Sequence, residues 1–223
     1  MRRKISLVTG ETYHIFSKSI AGFKIFGSDE NGLRLLNGIR FFRSRVPGQA
    51  LSWLLKNDPG RVAKVDRIGG GSRRVQLIAY CIMQTHFHLL LRQKTEDGIS
   101  VFMGQLLNSY TRYFNLKHKR KGPLWEGTFQ SVHVETDEQA LHLTRYIHLN
   151  PVTAYLVNAP GEWKFSSYSE YVGSLNPGEA LCEREHFQNL PADQYVKFVA
   201  DRIDHQRRLA QHKDLILEDP SNP

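Results

Sequence analysis

Two apolar segments separated by only two residues constrain the fold of this chain most. Residues 75–83 read VQLIAYCIM, residues 86–93 read HFHLLLRQ, and Gln84 and Thr85 lie between them. The first segment is almost entirely apolar, which is typical of a strand that is covered on both faces. We therefore predict two consecutive strands joined by a tight turn, in a sheet that the rest of the chain must cover.

A strand and a helix are predicted before these two strands. Residues 11–20 alternate between two faces, as the residues of a strand do. Ser28 is a suitable N-cap for a helix that should end near Arg45, before Pro47. The apolar stripe predicted for this helix has helical spacing and consists of Leu33, Leu36, Ile39 and Phe42.

The pattern after the two strands predicts a helix, a strand and a second helix. Apolar residues recur at helical spacing over residues 98–116, and a strand is best seen at residues 129–134. Thr136 is a suitable N-cap, and Gln139 occupies the capping-box position three residues later. This last helix should stop at Asn150 and Pro151, because the residue before a proline disfavours helical geometry.

Three regions have weaker patterns. Residues 46–74 predict a short helix at 51–55, a break at Pro59 and Gly60, and a flexible turn at the glycines 69–71. Residues 152–175 predict an irregular wrap that carries Trp163, Phe165, Tyr168 and Tyr171. A further helix is predicted over about 192–211.

The order strand, helix, strand, strand, helix, strand, helix predicts the fold class. Its first six elements match a split β-α-β arrangement, which is an α+β fold. We therefore expect a ferredoxin-like four-stranded antiparallel sheet with helices on one face, plus an added tyrosine-bearing helix. We assign residues 1–175 to this domain and residues 176–223 to an acidic helical C-terminal extension.

Charge indicates a polyanionic partner. The formal net charge is +8, and residues 177–223 hold only six of the 30 Lys and Arg but nine of the 22 Asp and Glu. The rest of the chain is therefore strongly basic, which favours nucleic acid over a merely basic soluble protein. No apolar run approaches the roughly 20 residues of a membrane helix. The two cysteines, Cys81 and Cys182, form no disulfide framework, so we expect a cytoplasmic location.

His86 and His88 are candidates for a metal site. Residues i and i+2 of a strand share a face, so both imidazoles should point the same way while Phe87 points to the other side. Two neighbouring imidazoles can chelate a divalent metal. The alternative is two polar residues on a solvated sheet face, although two histidines inside an otherwise apolar sheet would be costly without partners.

His142, Tyr146 and Asn150 recur at intervals of four residues, so they lie on one face of the predicted last helix. The Asn150 amide oxygen could bind a metal, and the Tyr146 phenol could act as a nucleophile if a cation lay nearby. The alternative is a core tyrosine followed by a helix-ending asparagine. Tyr110 and Tyr113 are competing nucleophiles, but core packing on the 98–116 helix accounts for them.

These residues lie in segments that resemble a known family. The segments AYCIMQTHFHLLLRQ, SYTRYFNLKHKRKGPLWEGTFQSVHVE, RYIHLNPVTAYLV and WKFSSYSEYVG follow one another in the chain. Together they resemble the single-tyrosine HUH-type transposases, and within these the REP-associated tyrosine transposases of the IS200-like family. The similarity runs from about Tyr13 to Gly173. It departs before the first histidine, where relatives usually read Met-Pro-Asn-His and this chain has Gln84 and Thr85.

The resemblance implies a mechanism. His86 and His88 would be catalytic metal ligands with Asn150 at the further ligand position, and the metal would be Mg²⁺ or Mn²⁺. Tyr146 would be the nucleophile that forms a 5′-phosphotyrosine intermediate on single-stranded hairpin DNA. The chain would then be an HUH endonuclease and strand transferase active in DNA transposition and recombination, as a monomer or a homodimer.

Basic residues near these motifs are candidates for DNA binding. Backbone phosphates would be contacted by cations, and Trp125 could stack on an unpaired base. The candidates are Arg73, Arg74, Arg112, Lys117, Lys119, Arg120, Lys121 and Trp125. The alternatives are a solvated basic turn and ordinary packing of the tryptophan.

Two other functions remain open from the sequence. One is a domesticated, non-catalytic regulator that binds DNA hairpins on the same fold. The other is an unrelated metal-dependent hydrolase that uses water. The hydrolase predicts a general-base carboxylate beside the histidine pair, and the histidine strand itself contains no Asp or Glu.

Overall fold

Four antiparallel strands form the sheet of this protein. The computed structural model describes residues 6–44, 50–68, 73–175, 179–183, 190–204 and 206–207. The strands are β1 (Thr12–Lys18), β2 (Val75–Ile82), β3 (His86–Gln93) and β4 (Gln130–Val134), in the spatial order β2-β3-β1-β4. This order is that of a split β-α-β fold. The α+β fold class expected from the sequence is confirmed.

Helices occupy both sides of the sheet. They are α1 (Asp29–Phe42), α2 (Leu51–Asn57), α3 (Pro59–Ile68), α4 (Gly98–Lys117), α5 (Asp137–Thr153), α6 (Tyr168–Tyr171) and α7 (Ala192–Ala200). Ser28 and Thr136 cap α1 and α5 as predicted, each accepting a hydrogen bond from a main-chain N–H three residues later. None of the helices in the described part of the chain is long and apolar enough to span a membrane.

Alternate residues of the strands build two apolar clusters. Tyr13, Ile15, Phe87 and Leu89 pack against α1 and α4 in the larger cluster. On the opposite face, residues that include Cys81 and Leu90 pack against Ala140 and Ile147 of α5. The tyrosine-bearing helix therefore covers the sheet face opposite to α1 and α4.

Of three local predictions, one is wrong, one is incomplete and one lies outside the described residues. Leu33 is exposed, and Leu35 is the fully buried leucine of α1, because the buried stripe of this helix is shifted around its axis. Pro59 does not only break a helix: it begins α3, where the missing proline N–H costs nothing. The predicted glycine turn at 69–71 lies outside the described residues.

The helix α5 does not stop at Asn150 but continues through Pro151 to Thr153. The proline lies in the last turn, and main-chain bonds from Ala154 to Asn150 and from Leu156 to Pro151, both 2.9 Å, close the helix after it. Asn150 therefore stays helical and keeps its place one turn from Tyr146.

The segment predicted as an irregular wrap runs along the edge of β2. Ile82 N donates to Phe165 O over 2.9 Å, and Trp163 Nε1 donates to Ile82 O over 2.9 Å. This segment also contains the short helix α6. It satisfies main-chain groups that an edge strand would otherwise expose. The last helix is described as Ala192–Ala200, and the predicted end near 211 lies outside the described residues.

Candidate active site

The strand β3 places His86 and His88 on one face, as its two-residue repeat predicts. Their ring centroids are 5.1 Å apart. Phe87 is fully buried on the opposite face, in the cluster that contacts α1 and α4. The pair therefore faces the α5 side of the sheet.

A third imidazole comes from the neighbouring strand. His14 of β1 stacks on His88 with ring centroids 5.1 Å apart, and its Nε2 lies 3.0 Å from His88 Nδ1. His86 Nδ1 lies 3.0 Å from the Thr85 hydroxyl oxygen. The Nδ1 atoms of both paired histidines thus have partners, which leaves their Nε2 atoms as the nitrogens for a ligand.

The helix α5 brings Tyr146 to these rings. The Tyr146 ring lies 5.8 Å from the His88 ring and 6.2 Å from the His14 ring, edge-on to both. Its side chain remains 41% exposed, so it packs beside the imidazoles while a ligand can still reach it. Asn150 Nδ2 donates to Tyr146 O over 3.0 Å, which holds the amide one turn further along the same face.

These side chains line one open pocket of about 510 Å³. The pocket contains the predicted residues His86, His88, Tyr146 and Asn150. It also contains residues that sequence patterns indicate only weakly or not at all: His14, Phe16, Lys18, Ser19, Gly22, Thr85 and Glu126. Glu126 follows the Trp125 of a quoted motif, and its main-chain N donates to Lys18 O over 3.1 Å, so a strand-to-loop contact brings it there.

Burial controls the protonation of the site. It lowers the pKa of His14 to about 4 and, together with the charge of Lys18, the pKa of His86 to about 4. The pKa of His88 lies well below its usual value, because of burial first and of the neighbouring His86, His14 and Lys18 next. Burial also raises the pKa of Tyr146, although a hydrogen bond from Asn150 opposes this rise. The imidazoles are therefore neutral near pH 7, as metal ligands must be.

The donor set fits a hard divalent cation with several open positions. Among the residues that the structure describes, no group of three or more His, Cys, Asp or Glu side chains is arranged to hold a metal ion. The pocket offers the Nε2 atoms of His86 and His88 and the amide oxygen of Asn150, whereas His14 Nε2 already contacts His88. Such a partial set leaves positions open for water or phosphate, and Mg²⁺ or Mn²⁺ as the metal stays a prediction.

The competing tyrosines lie elsewhere. Tyr110 is buried on the other side of the sheet, where its hydroxyl donates to Ile25 O over 2.7 Å. The Tyr113 hydroxyl donates to Asn31 Oδ1 over 2.9 Å. His142, one turn before Tyr146, is exposed and lies against the Arg145 guanidinium, outside the pocket.

Some of the predicted DNA-binding residues lie on the loop that also supplies Glu126 to the pocket. The loop after α4 runs beside the end of β1, where Ile20 N donates to Leu124 O over 3.0 Å. Lys119 and Lys121 are exposed on this loop, and Arg120 donates to Pro123 O over 2.7 Å. Trp125 packs on the main apolar cluster and donates to the Thr111 hydroxyl over 2.9 Å.

The other predicted DNA-binding residues lie away from the pocket. Arg73 contacts Glu183, and Arg74 donates to Ser44 O over 2.7 Å, at the end of the β2–β3 hairpin opposite to the histidines. Lys117 forms an ion pair of 2.7 Å with Glu30. Arg112 is exposed and lines a separate groove between α1 and α4. A DNA-binding role for these residues, as for those near the pocket, stays a prediction.

Comparisons with known proteins agree with the sequence resemblance. Residues 61–150 match the family described as Transposase IS200 like. This range contains His86, His88, Tyr146 and Asn150. A protein of Haemophilus influenzae (strain ATCC 51907 / DSM 11121 / KW20 / Rd), described as a REP-associated tyrosine transposase, is 24% identical over 103 residues. That match covers 42% of this chain and 58% of the relative's length.

A solved structure shares the fold. It is that of a REP-associated tyrosine transposase bound to a REP hairpin, with a TM-score of 0.52 and 17% sequence identity. The likeness covers 84% of this chain and 94% of the other. The resemblance to REP-associated tyrosine transposases predicted from the sequence is therefore confirmed.

Proposed function

We propose that this chain is a transposase-like enzyme that cuts and rejoins single-stranded hairpin DNA through a covalent 5′-phosphotyrosine at Tyr146. The observation that carries this proposal is the convergence of Tyr146 with His86 and His88 in one open pocket. Distant segments of the chain, β3 and α5, supply these side chains. A tyrosine that served only the core would instead be buried, as Tyr110 is.

In the first step, the Tyr146 phenol oxygen attacks the phosphorus of a phosphodiester. The bond to the 3′-oxygen breaks, the tyrosine becomes linked to the 5′-phosphate, and the leaving oxygen takes a proton from water to become a 3′-hydroxyl. The phenol proton leaves to solvent, which reaches the side chain. A 3′-hydroxyl attacks the phosphotyrosine in the reverse sense to rejoin DNA, so no nucleotide cofactor is needed.

The other pocket residues prepare this reaction. His86, His88 and Asn150 would hold Mg²⁺ or Mn²⁺, which when bound would neutralise charge on the phosphate. Lys18 adds a positive charge in the same pocket, and His14 fixes the orientation of the His88 ring through their 3.0 Å contact. Because burial raises the pKa of Tyr146, its phenol depends on such nearby positive charge to react as a phenolate.

One observation favours a second candidate function. Glu126 lines the pocket and could act as the general base of a metal-dependent hydrolase that uses water. In that enzyme Tyr146 would be dispensable and Glu126 essential. The two functions thus assign the essential role to different residues of the same pocket.

A denaturing gel distinguishes these functions. The protein is mixed with a labelled hairpin oligonucleotide and Mn²⁺, and a covalent protein–DNA band is expected. Tyr146→Phe should remove the band completely, whereas Tyr113→Phe should retain it, because Tyr113 lies outside the pocket. EDTA should also prevent the band, and the double variant His86→Ala/His88→Ala should weaken Mn²⁺ binding, followed by electron paramagnetic resonance, by at least about tenfold.

Three other outcomes would contradict the proposal. Cleavage that survives Tyr146→Phe but is lost in Glu126→Gln indicates the hydrolase. Hairpin binding without any covalent band indicates a non-catalytic binder. Mn²⁺ affinity that is unchanged in the double variant excludes the histidine pair as the metal site.

A further inference from the structure

A buried chain of hydrogen bonds connects the sheet to the tyrosine-bearing helix. Tyr80 N of β2 donates to the Ser167 hydroxyl over 2.9 Å, and Ser167 lies 2.7 Å from His148 Nε2. His148 Nδ1 lies 2.7 Å from the Tyr195 hydroxyl, which donates to Thr144 Oγ1 over 2.9 Å. The chain therefore joins β2, the segment before α6, α5 and α7.

One assignment of protons satisfies every link of this chain when the Ser167 hydroxyl donates to His148 rather than to Tyr80 O, which lies 3.2 Å away. Ser167 donates to His148 Nε2, His148 Nδ1 donates to the Tyr195 oxygen, and Tyr195 donates to Thr144, whose hydroxyl donates to Leu141 O over 2.7 Å. The assignment requires a neutral His148, and burial lowers the pKa of this fully buried residue to about 3. Complete satisfaction makes a buried polar network rigid and specific.

The chain holds α5 on the side opposite to Tyr146. Thr144 and His148 are one helical turn apart and share a face. Tyr146 lies two residues from each, which is about 200° around the helix. At the other end of the chain, Tyr80 pairs with Leu89, the neighbour of His88. The hydrogen bonds thus set the position of the tyrosine face of α5 relative to the strand that carries the histidines.

The helix α7 also contacts α5 at other points. Arg145 Nη1 donates to Phe198 O over 3.2 Å, and the guanidinium lies 4.1 Å above the Phe198 ring. Buried Tyr195 and Val199 share an apolar cluster with Leu149 and Val152 of α5. The Tyr195 hydroxyl is therefore the polar centre of a larger contact between the C-terminal segment and the tyrosine-bearing helix.

We infer that Tyr195 is a positioning residue, which fixes the rotation of α5 so that Tyr146 faces the histidine pair. Through this contact, α7 of the C-terminal extension would influence the reaction by way of α5. Its catalytic consequence rests on the proposed function. Its structural consequence, a fixed α5, does not depend on that function.

The test compares Tyr195→Phe with Tyr171→Phe. Tyr171 belongs to the same apolar cluster, its hydroxyl donates to Ile78 O of β2 over 2.8 Å, and its ring, which the substitution keeps, lies 4.8 Å from the His148 ring. Both variants therefore remove one buried hydroxyl, and Tyr195→Phe removes the one that bonds to His148 and Thr144 of α5. A second variant, Thr144→Val, removes the acceptor on α5 with little change of shape.

Two measurements are made on each variant. In single-turnover reactions at saturating hairpin, Tyr195→Phe and Thr144→Val should form the covalent band roughly tenfold more slowly per folded molecule, because a small displacement of a reacting group is costly. Hairpin affinity should stay within about twofold of the wild type, since phosphate contacts dominate affinity. Without DNA, amides of residues 141–149 should exchange hydrogen faster in these two variants, while those of β3 should not.

The outcomes separate this inference from the proposed function. Wild-type rates in Tyr195→Phe, or an equal slowing in Tyr171→Phe, overturn the positioning role. If the wild type forms no covalent band, the proposed function fails. Unchanged amide exchange in Tyr195→Phe would then overturn the inference independently.

Discussion

At the scale of single residues, burial lowers the pKa of four histidines. His14, His86, His88 and His148 all have a pKa below the usual value, and burial is the first cause in each case. Three of them line the candidate active site, where neutral imidazoles can bind a cation. His148 instead sits in the buried hydrogen-bonded chain, where burial disfavours its charged form.

The burial of His148 predicts a pH-dependent stability. The pKa of His148 is about 3 in the folded protein and about 6.5 in the unfolded chain. As the pH falls below about 6.5, the unfolded chain binds a proton that the folded protein does not, so the protein becomes less stable. The free energy of unfolding should therefore fall more for the wild type than for His148→Gln, by about 2 kcal/mol between about pH 7.5 and pH 5. Urea unfolding at a series of pH values measures the difference.

The exposed His142 on the same helix provides the control for this prediction. His142→Gln makes the same substitution at an exposed position of α5 and should follow the wild-type pH profile, because it leaves the buried chain of His148 intact. Parallel profiles for the wild type and His148→Gln would show that His148 does not cause the acid sensitivity.

At the scale of secondary structure, the two ends of α5 keep its candidate site residues on one helical face. Its first turn is capped by Thr136, whose hydroxyl accepts from Gln139 N over 3.1 Å, while the Gln139 side chain accepts from Glu135 N over 2.9 Å. Its last turn continues through Pro151 and carries Asn150. Both ends are needed, because Tyr146 and Asn150 share a face only while the helix between and beyond them is intact.

The cap of α5 predicts a loss of stability on substitution. Thr136→Ala should lower the free energy of unfolding by about 1 kcal/mol, because main-chain donors of the first turn lose their acceptor. Thr136→Ser should restore most of this loss. Thr128→Ala, at an exposed loop position, should stay within about 0.5 kcal/mol of the wild type. Equal stability of Thr136→Ala and the wild type in urea unfolding would contradict the capping role.

At the scale of the whole molecule, charge and topology place a basic loop beside the pocket. The strand order puts the end of β1, with Lys18, next to His86. The loop after α4 returns to this end of β1, where Lys119 and Lys121 are exposed. Other cations have partners within the protein, as Lys117 and Arg73 do. The same loop supplies Glu126 to the pocket, so we predict that Lys119 and Lys121 contact DNA there.

This arrangement predicts a salt effect. If Lys119 and Lys121 contact phosphates, the double variant Lys119→Gln/Lys121→Gln should bind a hairpin more weakly, and its slope of log K against log salt should be shallower by roughly 1 to 2. Fluorescence anisotropy at several salt concentrations measures both quantities. The control Lys56→Gln/Lys64→Gln makes the same charge change on exposed positions of α2 and α3. A slope that changes equally in both double variants would exclude a specific role for the loop.

The sequence alone determined the strands, most helix starts and the main candidate site residues. Apolar runs located β2 and β3, the two-residue repeat put His86 and His88 on one face, and capping residues marked α1 and α5. These features depend on neighbours within a few residues. Burial of a helical residue depends instead on what packs against the helix. The sequence therefore could not show that Leu33 of α1 is exposed and Leu35 is buried.

Only the tertiary structure decided which surfaces meet. It placed α5 on the histidine side of the sheet, brought His14 and Glu126 into the pocket, and joined Tyr195 to the back of α5. It also kept Asn150 within a helix that continues past Pro151. The physical reason is that periodicity fixes which side chains share a face, whereas contacts between distant segments depend on how helices and sheet pack to bury their apolar faces together.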